Sequence, residues 1–162
     1  MAEVPERDYP ELRDDQILSI GIYGETVAGY RYTVLSEKVP SAEDRKAFAA
    51  IADEEQGHKQ RLQALLEKHF PDRSFYLSDS DKALVVAGPR LINVRDVEDY
   101  REVMKLALDT ELMTSQFYRA MSTRAKHPEL RQICAELARE GFGHHQRLAK
   151  LARERGFLPA QK

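Results

Sequence analysis

Apolar residues recur along most of this chain at intervals of three and four positions, the spacing that places them on one face of an α-helix. Four stretches have this pattern, and polar or proline-containing segments separate them. Proline near a helix start is tolerated because its missing N–H would have no intrahelical partner there. The pattern predicts four long helices, over about 14–38, 42–69, 96–123 and 128–156. We expect Pro40 to end the first, Ser41 to cap the second and Asn93 to cap the third.

The connections between these predicted helices differ in length. The first and last are short, whereas residues 70–95 form a long segment with an apolar stretch, 83–87, that is too short for a bundle helix. In a four-helix bundle such a connection is a crossover, which allows the third helix to run parallel to the second. We expect the apolar stretch to lie along the outside of the bundle. The predicted fold is all-α, an antiparallel four-helix bundle with an N-terminal arm (1–13), two hairpins (14–69 and 96–156), the crossover (70–95) and a C-terminal tail (157–162).

The two predicted hairpins are related in sequence. The pattern Gly-His-x-Gln-Arg-Leu-x-x-Leu occurs at 57–65 and again at 143–151, an offset of 86 residues. At the same offset, Glu25 corresponds to Glu111 and Tyr32 to Tyr118. A repeat of this length indicates a duplicated helical hairpin rather than a solenoid of short units.

Charge and cysteine content exclude several classes of function. The net charge is −2, so there is no electrostatic basis for binding nucleic acid or an anionic membrane surface. No apolar run approaches the roughly 20 residues of a membrane-spanning helix. Cys134 is the single cysteine, which rules out an internal disulfide and a four-cysteine iron site within this chain. The acidic N-terminus does not resemble a signal peptide, and we expect a cytoplasmic protein.

Each predicted helix has ionisable residues within its apolar face, and in a bundle these residues would lie at the same height along the axis. Burying such groups costs several kcal/mol, on the order of the penalty for an unpaired buried charge, unless each finds a partner. For any one of them, a boundary glutamate or a satisfied core histidine is the simpler interpretation. Their occurrence in both repeats instead favours a shared metal site. The candidate ligands are Glu25, Glu55, His58, Glu111 and His144.

The second repeat has Gly141 where the first has Glu55. Glu140 lies one position earlier, about 100° around an ideal helix. A π-bulge permitted by Gly141 and Gly143 would swing Glu140 inward as a sixth ligand. The alternative is a solvated glutamate like its counterpart Glu54. In that case three carboxylates and two imidazoles remain, which would hold one metal well and a second weakly, or zinc or manganese instead of iron.

Tyr32 and Tyr118 lie two helical turns after Glu25 and Glu111, on the same faces. Three roles fit this position. The tyrosines can hydrogen-bond the carboxylates, as outer partners of a metal site, or pass an electron, or serve as core residues with a satisfied hydroxyl. Of these roles, we favour that of core residues over that of electron carriers.

The first helix of each repeat contains a related motif, Glu25-x-x-Ala28-x-x-Arg31-Tyr32 and Glu111-x-x-Thr114-x-x-Phe117-Tyr118. With the glutamates and histidines of the other two helices, these motifs resemble the rubrerythrin branch of the ferritin-like superfamily, over nearly the whole chain. The resemblance implies a di-iron centre, usually in a homodimer or higher homo-oligomer, that reacts with peroxide or dioxygen. The chain departs from the family at Gly141 and in having no Cys-x-x-Cys rubredoxin module, so peroxidase turnover would require an external electron donor.

Three functions are consistent with this resemblance. The first is a redox enzyme that reduces peroxide or oxidises ferrous iron at two iron ions; manganese or zinc are alternative metals for the site itself. In it Glu25, Glu55 and Glu111 would hold and bridge the ions, and each histidine would bind one. The second is a protein that binds, stores or delivers iron. The third is a ferritin-like bundle whose metal site has degenerated through the loss at Gly141.

Overall fold

The fold is described from a computed structural model that covers residues 7–72 and 76–161. Residues 1–6 of the predicted arm, 73–75 of the crossover and 162 of the tail lie outside the described residues. The described chain is all-α, and four long helices form its bundle, as predicted. The helices are α1 (Asp14–Lys38), α2 (Ala42–His69), a single-turn α3 (Asp79–Lys82), α4 (Val97–Arg124) and α5 (Pro128–Glu154).

The helix ends follow local sequence. The side chain of Ser41 caps α2 by accepting a hydrogen bond from the backbone N–H of Asp44, and Pro128 occupies the first turn of α5. The sequence also suggested Asn93 as the cap of α4, which is wrong by three residues. Asp96 is the cap, and its carboxylate accepts a 2.9 Å hydrogen bond from the N–H of Asp99.

The bundle has the predicted crossover topology. Helix α1 packs along α2, and α4 packs along α5. Side-chain contacts join Tyr32 to Glu111 and Tyr118 to Glu25, so α1 and α4 run antiparallel. Because α1 is also antiparallel to α2, helices α2 and α4 run parallel, and the long segment between them is the crossover.

The crossover is packed more closely than the sequence suggested. The apolar stretch lies along the outside of the bundle, as expected, but Val85 is fully buried and extends into the core, whereas Ala83 is exposed. A Cβ at Gly24 of α1 would lie 3.2 Å from the side chain of Val85, so an alanine there would require Val85 to shift by a few tenths of an ångström. The guanidinium of Arg31 donates 2.7 Å hydrogen bonds to the carbonyls of Ala87 and Pro89. The crossover thus covers the α1–α4 side of the bundle.

Two apolar clusters fill the two ends of the bundle. One contains Tyr32, Phe48 and Met104, and the other contains Leu62 and Tyr118. Each fully buried aliphatic or aromatic side chain contributes about 1.5–3 kcal/mol relative to exposure. Between the clusters lies the level of ionisable residues, which is therefore separated from water on both sides. Among the described helices, none combines the length and apolarity needed to cross a membrane.

Asp14 fastens the start of α1 to the turn between α4 and α5. Its carboxylate accepts hydrogen bonds from the backbone N–H groups of Lys126 (2.9 Å) and His127 (2.8 Å) and lies 2.5 Å from Nδ1 of His127. Burial alone would raise the pKa of Asp14, but these hydrogen bonds and the charge of His127 lower it on balance. The ionised carboxylate is therefore the form that stabilises the fold.

We expect acid to destabilise the wild-type protein more than an Asp14→Asn variant. Because the folded pKa lies below the unfolded value of about 3.9, the contribution of Asp14 is complete above that value and is lost as the pH falls through the folded pKa. Near neutral pH the substitution should cost about 2 kcal/mol. Urea unfolding between pH 7 and pH 2 measures both effects. The exposed Asp8→Asn is the control, and an acid dependence unchanged in Asp14→Asn would contradict the assignment.

Candidate metal centre

The four long helices bring five ionisable side chains together at mid-bundle. All five are between 3% and 7% exposed. They form two groups, each with its potential ligand atoms within 4.8 Å of one another. Glu55 belongs to both groups, with Glu25 and His58 in the first and Glu111 and His144 in the second. The residues predicted as ligands from the repeat are therefore those that the fold places together.

The distances within the groups suit metal coordination. Nδ1 of His58 lies 3.5 Å from Oε2 of Glu25. Nδ1 of His144 lies 2.7 Å from Oε1 of Glu55 and 3.4 Å from Oε1 of Glu111. Two donor atoms that bind one cation at about 2.1 Å and at right angles are about 3 Å apart. The donors are thus spaced as neighbouring ligands of one ion in each group, and oxygen with imidazole nitrogen is a set that iron, manganese and zinc accept.

The three carboxylates also create a charge that favours cations. Burial, with the neighbouring charges of Glu25 and Glu111, raises the pKa of Glu55 well above its usual value. Burial would raise the pKa of Glu25 too, but hydrogen bonds from Glu55 and His58 lower it on balance. The charged form of Glu55 is thus disfavoured beside these carboxylates in an apolar core. A cation bound at this position would favour the charged form.

Two tyrosines hold the outer carboxylates. The hydroxyl of Tyr32 donates a 2.6 Å hydrogen bond to Oε1 of Glu111, and the hydroxyl of Tyr118 donates a 2.8 Å hydrogen bond to Oε1 of Glu25. Burial and the adjacent glutamates raise the pKa of both phenols well above 10. The tyrosines therefore remain protonated donors, and each one orients a carboxylate from the other repeat.

Glu140 does not lie in either group of potential ligands. Its carboxylate contacts Nε2 of His58, on the side of the ring that faces away from Glu25, and it is 45% exposed. Glu54 contacts Nε2 of His144 in the equivalent way. Helix α5 is α-helical throughout, so the π-bulge considered for Glu140 is absent. The alternative, a glutamate that contacts only solvent, is also wrong for Glu140 and Glu54, because each contacts a histidine. The repeat predicted that the two are equivalent, but not that each reaches across to the histidine of the other repeat.

We expect Glu140→Leu to weaken metal binding about 10- to 100-fold, the usual effect of losing an outer partner of a metal-binding histidine. The carboxylate forms an ion pair with Nε2 of His58, which holds the ring with Nδ1 towards Glu25. Glu140→Gln retains an acceptor and should recover most of the affinity. A cobalt titration followed by visible absorption measures the change. Glu136→Gln is the control, because Glu136 pairs with Arg61 and with Gln132. Equal affinities in the leucine variant and the wild type would contradict this role.

A small cavity adjoins the ionisable side chains. Its volume is about 10 Å³, which is close to the lower limit for one water molecule. Its lining includes four of the five ligand groups together with Thr114, Ser115 and Gly141. Sequence reasoning did not identify Ser115, because a serine in a helix gives no signal of its own. The cavity therefore has room for about one water-sized group.

Solved structures with this fold include two informative relatives. A hypothetical protein from Pyrococcus furiosus is 21% identical, with 93% of this chain and 94% of that chain covered and a TM-score of 0.77. A manganese catalase from Anabaena PCC7120 is 17% identical, with 100% and 83% covered and a TM-score of 0.71. At these identities the likeness shows the ferritin-like fold. A search of curated proteins gives no match. The family model described as rubrerythrin matches residues 16–101 and 102–158, nearly the whole chain, and the protein therefore belongs to the rubrerythrin family.

Proposed function

We propose that this protein is a di-metal redox protein whose substrate is hydrogen peroxide. The observation that carries the proposal is the position of Glu55, which belongs to both ligand groups and would therefore be shared by two ions. Glu25 and His58 would complete one position. Glu111 and His144 would complete the other. Iron is the metal we expect first, and manganese second.

When bound, such a pair of ions supplies two electrons to peroxide, and cleavage of the O–O bond with uptake of two protons yields two waters. The protein's own contribution is positioning. Tyr32 and Tyr118 fix the two outer carboxylates through hydrogen bonds of 2.6 and 2.8 Å. The apolar clusters on either side limit the access of water, which strengthens electrostatic interactions within the site.

The size of the cavity supports a small oxidant. A volume of about 10 Å³ is close to the space of one water molecule, so it favours an oxidant of only two heavy atoms over any larger molecule. An organic substrate would need a pocket of several hundred Å³. Peroxide or dioxygen is thus a better candidate than an organic molecule, and oxidation of ferrous iron by dioxygen remains the main variant of the proposal.

The electrons that restore the reduced metal pair have two possible sources. An external donor would provide two electrons per cycle, because this chain has no Cys-x-x-Cys pair of its own. Alternatively, a second peroxide would give up two electrons and two protons and leave as dioxygen. The second route is the reaction named for the Anabaena protein of the same fold. Evolution of dioxygen distinguishes the two routes.

The test begins with metal analysis of protein purified without added metal, and of protein reloaded anaerobically with ferrous or manganous ions. Peroxide loss and dioxygen evolution are then followed with and without a small-molecule reductant. We expect about two ions per chain and peroxide consumption that Glu25→Ala reduces at least tenfold. Peroxide that oxidises the loaded wild type no faster than this variant would overturn the redox proposal. Bound iron that is only taken up and released would then favour iron handling.

A further inference from the structure

The two halves of the candidate centre differ at one pair of facing positions. In the 86-residue register Glu55 corresponds to Gly141, and Gly29 corresponds to Ser115. In the first half Gly29 leaves room for the glutamate, since a Cβ there would lie 3.9 Å from Cβ of Glu55. In the second half a Cβ at Gly141 would overlap Oγ of Ser115. The larger residue of the pair is thus Glu55 on α2 in the first half but Ser115 on α4 in the second. The hydroxyl of Ser115 fills the space in which a side chain at position 141 would begin.

The hydroxyl of Ser115 points into the site. The residue is 0% exposed, and its Oγ has no hydrogen-bond partner in the described protein. An unsatisfied buried hydroxyl is unfavourable, so this one is placed for a partner that the chain does not provide. It lines the cavity together with Glu111 and Gly141. Oε2 of Glu111 lies 3.5 Å from the position that a Cβ at Gly141 would take.

Charge indicates what kind of partner fits. This step rests on the proposed function, in which two divalent cations face the three carboxylates of Glu25, Glu55 and Glu111. The carboxylates of Glu54 and Glu140, which contact the histidines from outside, pair with Arg147 and Arg61 in turn. The buried charges therefore leave one positive charge in the site. A fourth carboxylate at position 141 would have neutralised it, and glycine leaves it available. An excess positive charge surrounded by apolar clusters attracts a small anion.

We propose that Ser115 and Gly141 form a binding site for a small exogenous monoanion, with the hydroxyl of Ser115 donating a hydrogen bond to it. The cavity restricts the anion to a few atoms. Hydroperoxide is the anion of this class that the proposed function supplies. Ser115 is in this view the residue that positions the oxidant at the second half of the centre, a role for which the first half has no equivalent because Glu55 occupies the space.

The probe is azide, added to protein loaded with cobalt, whose visible absorption reports the ligands of the ion. We expect saturable binding in the wild type and about tenfold weaker binding in Ser115→Ala, since a hydrogen bond to an anion is lost. Thr114→Ala is the matched control. Its hydroxyl lines the same cavity but its one hydrogen is already used by the carbonyl of Thr110 at 2.7 Å or that of Val85 at 3.1 Å, so azide affinity should not change.

A second variant tests the exchange directly. The double substitution Ser115→Gly with Gly141→Glu recreates in the second half the pair found at Gly29 and Glu55. It should retain metal and lose azide binding, because an internal carboxylate takes the place of the anion. If the wild type binds no metal, the proposed function fails and this inference fails with it. If metal binds but azide affinity is equal in the wild type and Ser115→Ala, this inference alone is overturned.

Discussion

Replacing Glu55 by alanine should remove both metal ions, whereas replacing Glu25 should remove mainly one. Glu55 is within ligand distance of both groups, and Glu25 belongs only to the group of His58. Loss of the shared carboxylate would leave two donors at each position, too few for stable binding of a divalent ion in competition with water. Elemental analysis of protein purified after anaerobic loading measures the ratio of metal to chain. The expected order is wild type, then Glu25→Ala, then Glu55→Ala with almost none.

In the metal-free protein, replacing Glu55 by a neutral residue should leave the stability of the fold unchanged or increase it. Glu55 is buried between Glu25 and Glu111, which raise its pKa because like charges repel in an apolar core. A neutral Glu55→Gln should therefore unfold in urea and chelator at the same or a higher urea concentration than the wild type. With metal present the order should reverse. Asp53→Asn is the control, since Asp53 is exposed on the same helix. In the measurement of metal content described above, a Glu55→Ala variant that still binds two ions would exclude a shared role for Glu55.

Replacing Asp44 by alanine should produce a large loss of stability, about 3 kcal/mol. Asp44 is 1% exposed and joins three helices at one end of the bundle. Its carboxylate accepts a 3.0 Å hydrogen bond from the hydroxyl of Tyr100, and bonds of 2.8 and 2.9 Å from the guanidinium of Arg155. Removing one member of such a buried pair costs about 3–5 kcal/mol because its partners lose their acceptor. Arg155 is 35% exposed and can turn to water, so we expect the lower value.

Urea unfolding at neutral pH measures this loss as a shift of the midpoint with an unchanged slope. The control is Glu43→Ala, which lies in the same helical turn and is exposed. It should change stability by less than about 1 kcal/mol, mainly through the helix dipole. A loss below 1 kcal/mol in Asp44→Ala would mean that the network does not stabilise the bundle.

Much of the fold could be predicted from local pattern. The bounds of α1 and α2 agree with the apolar period and with the signals at Ser41 and Pro40, because capping and proline act within a few residues of the chain. The error at Asn93 arose because two polar residues, Asn93 and Asp96, were both acceptable caps, and only the path of the crossover decides between them. The burial of Val85 likewise depends on the gap at Gly24 in a distant helix.

For the candidate site, helical period and an 86-residue repeat were enough to predict which side chains are buried at mid-bundle, because they specify the inward faces. Which atoms meet across helices could be seen only in the folded bundle. It placed Glu140 against His58, Asp44 between Tyr100 and Arg155, and Ser115 in the space beside Gly141. Such contacts depend on the rotation and offset of packed helices and on side-chain rotamers, quantities that the pattern within one helix does not contain.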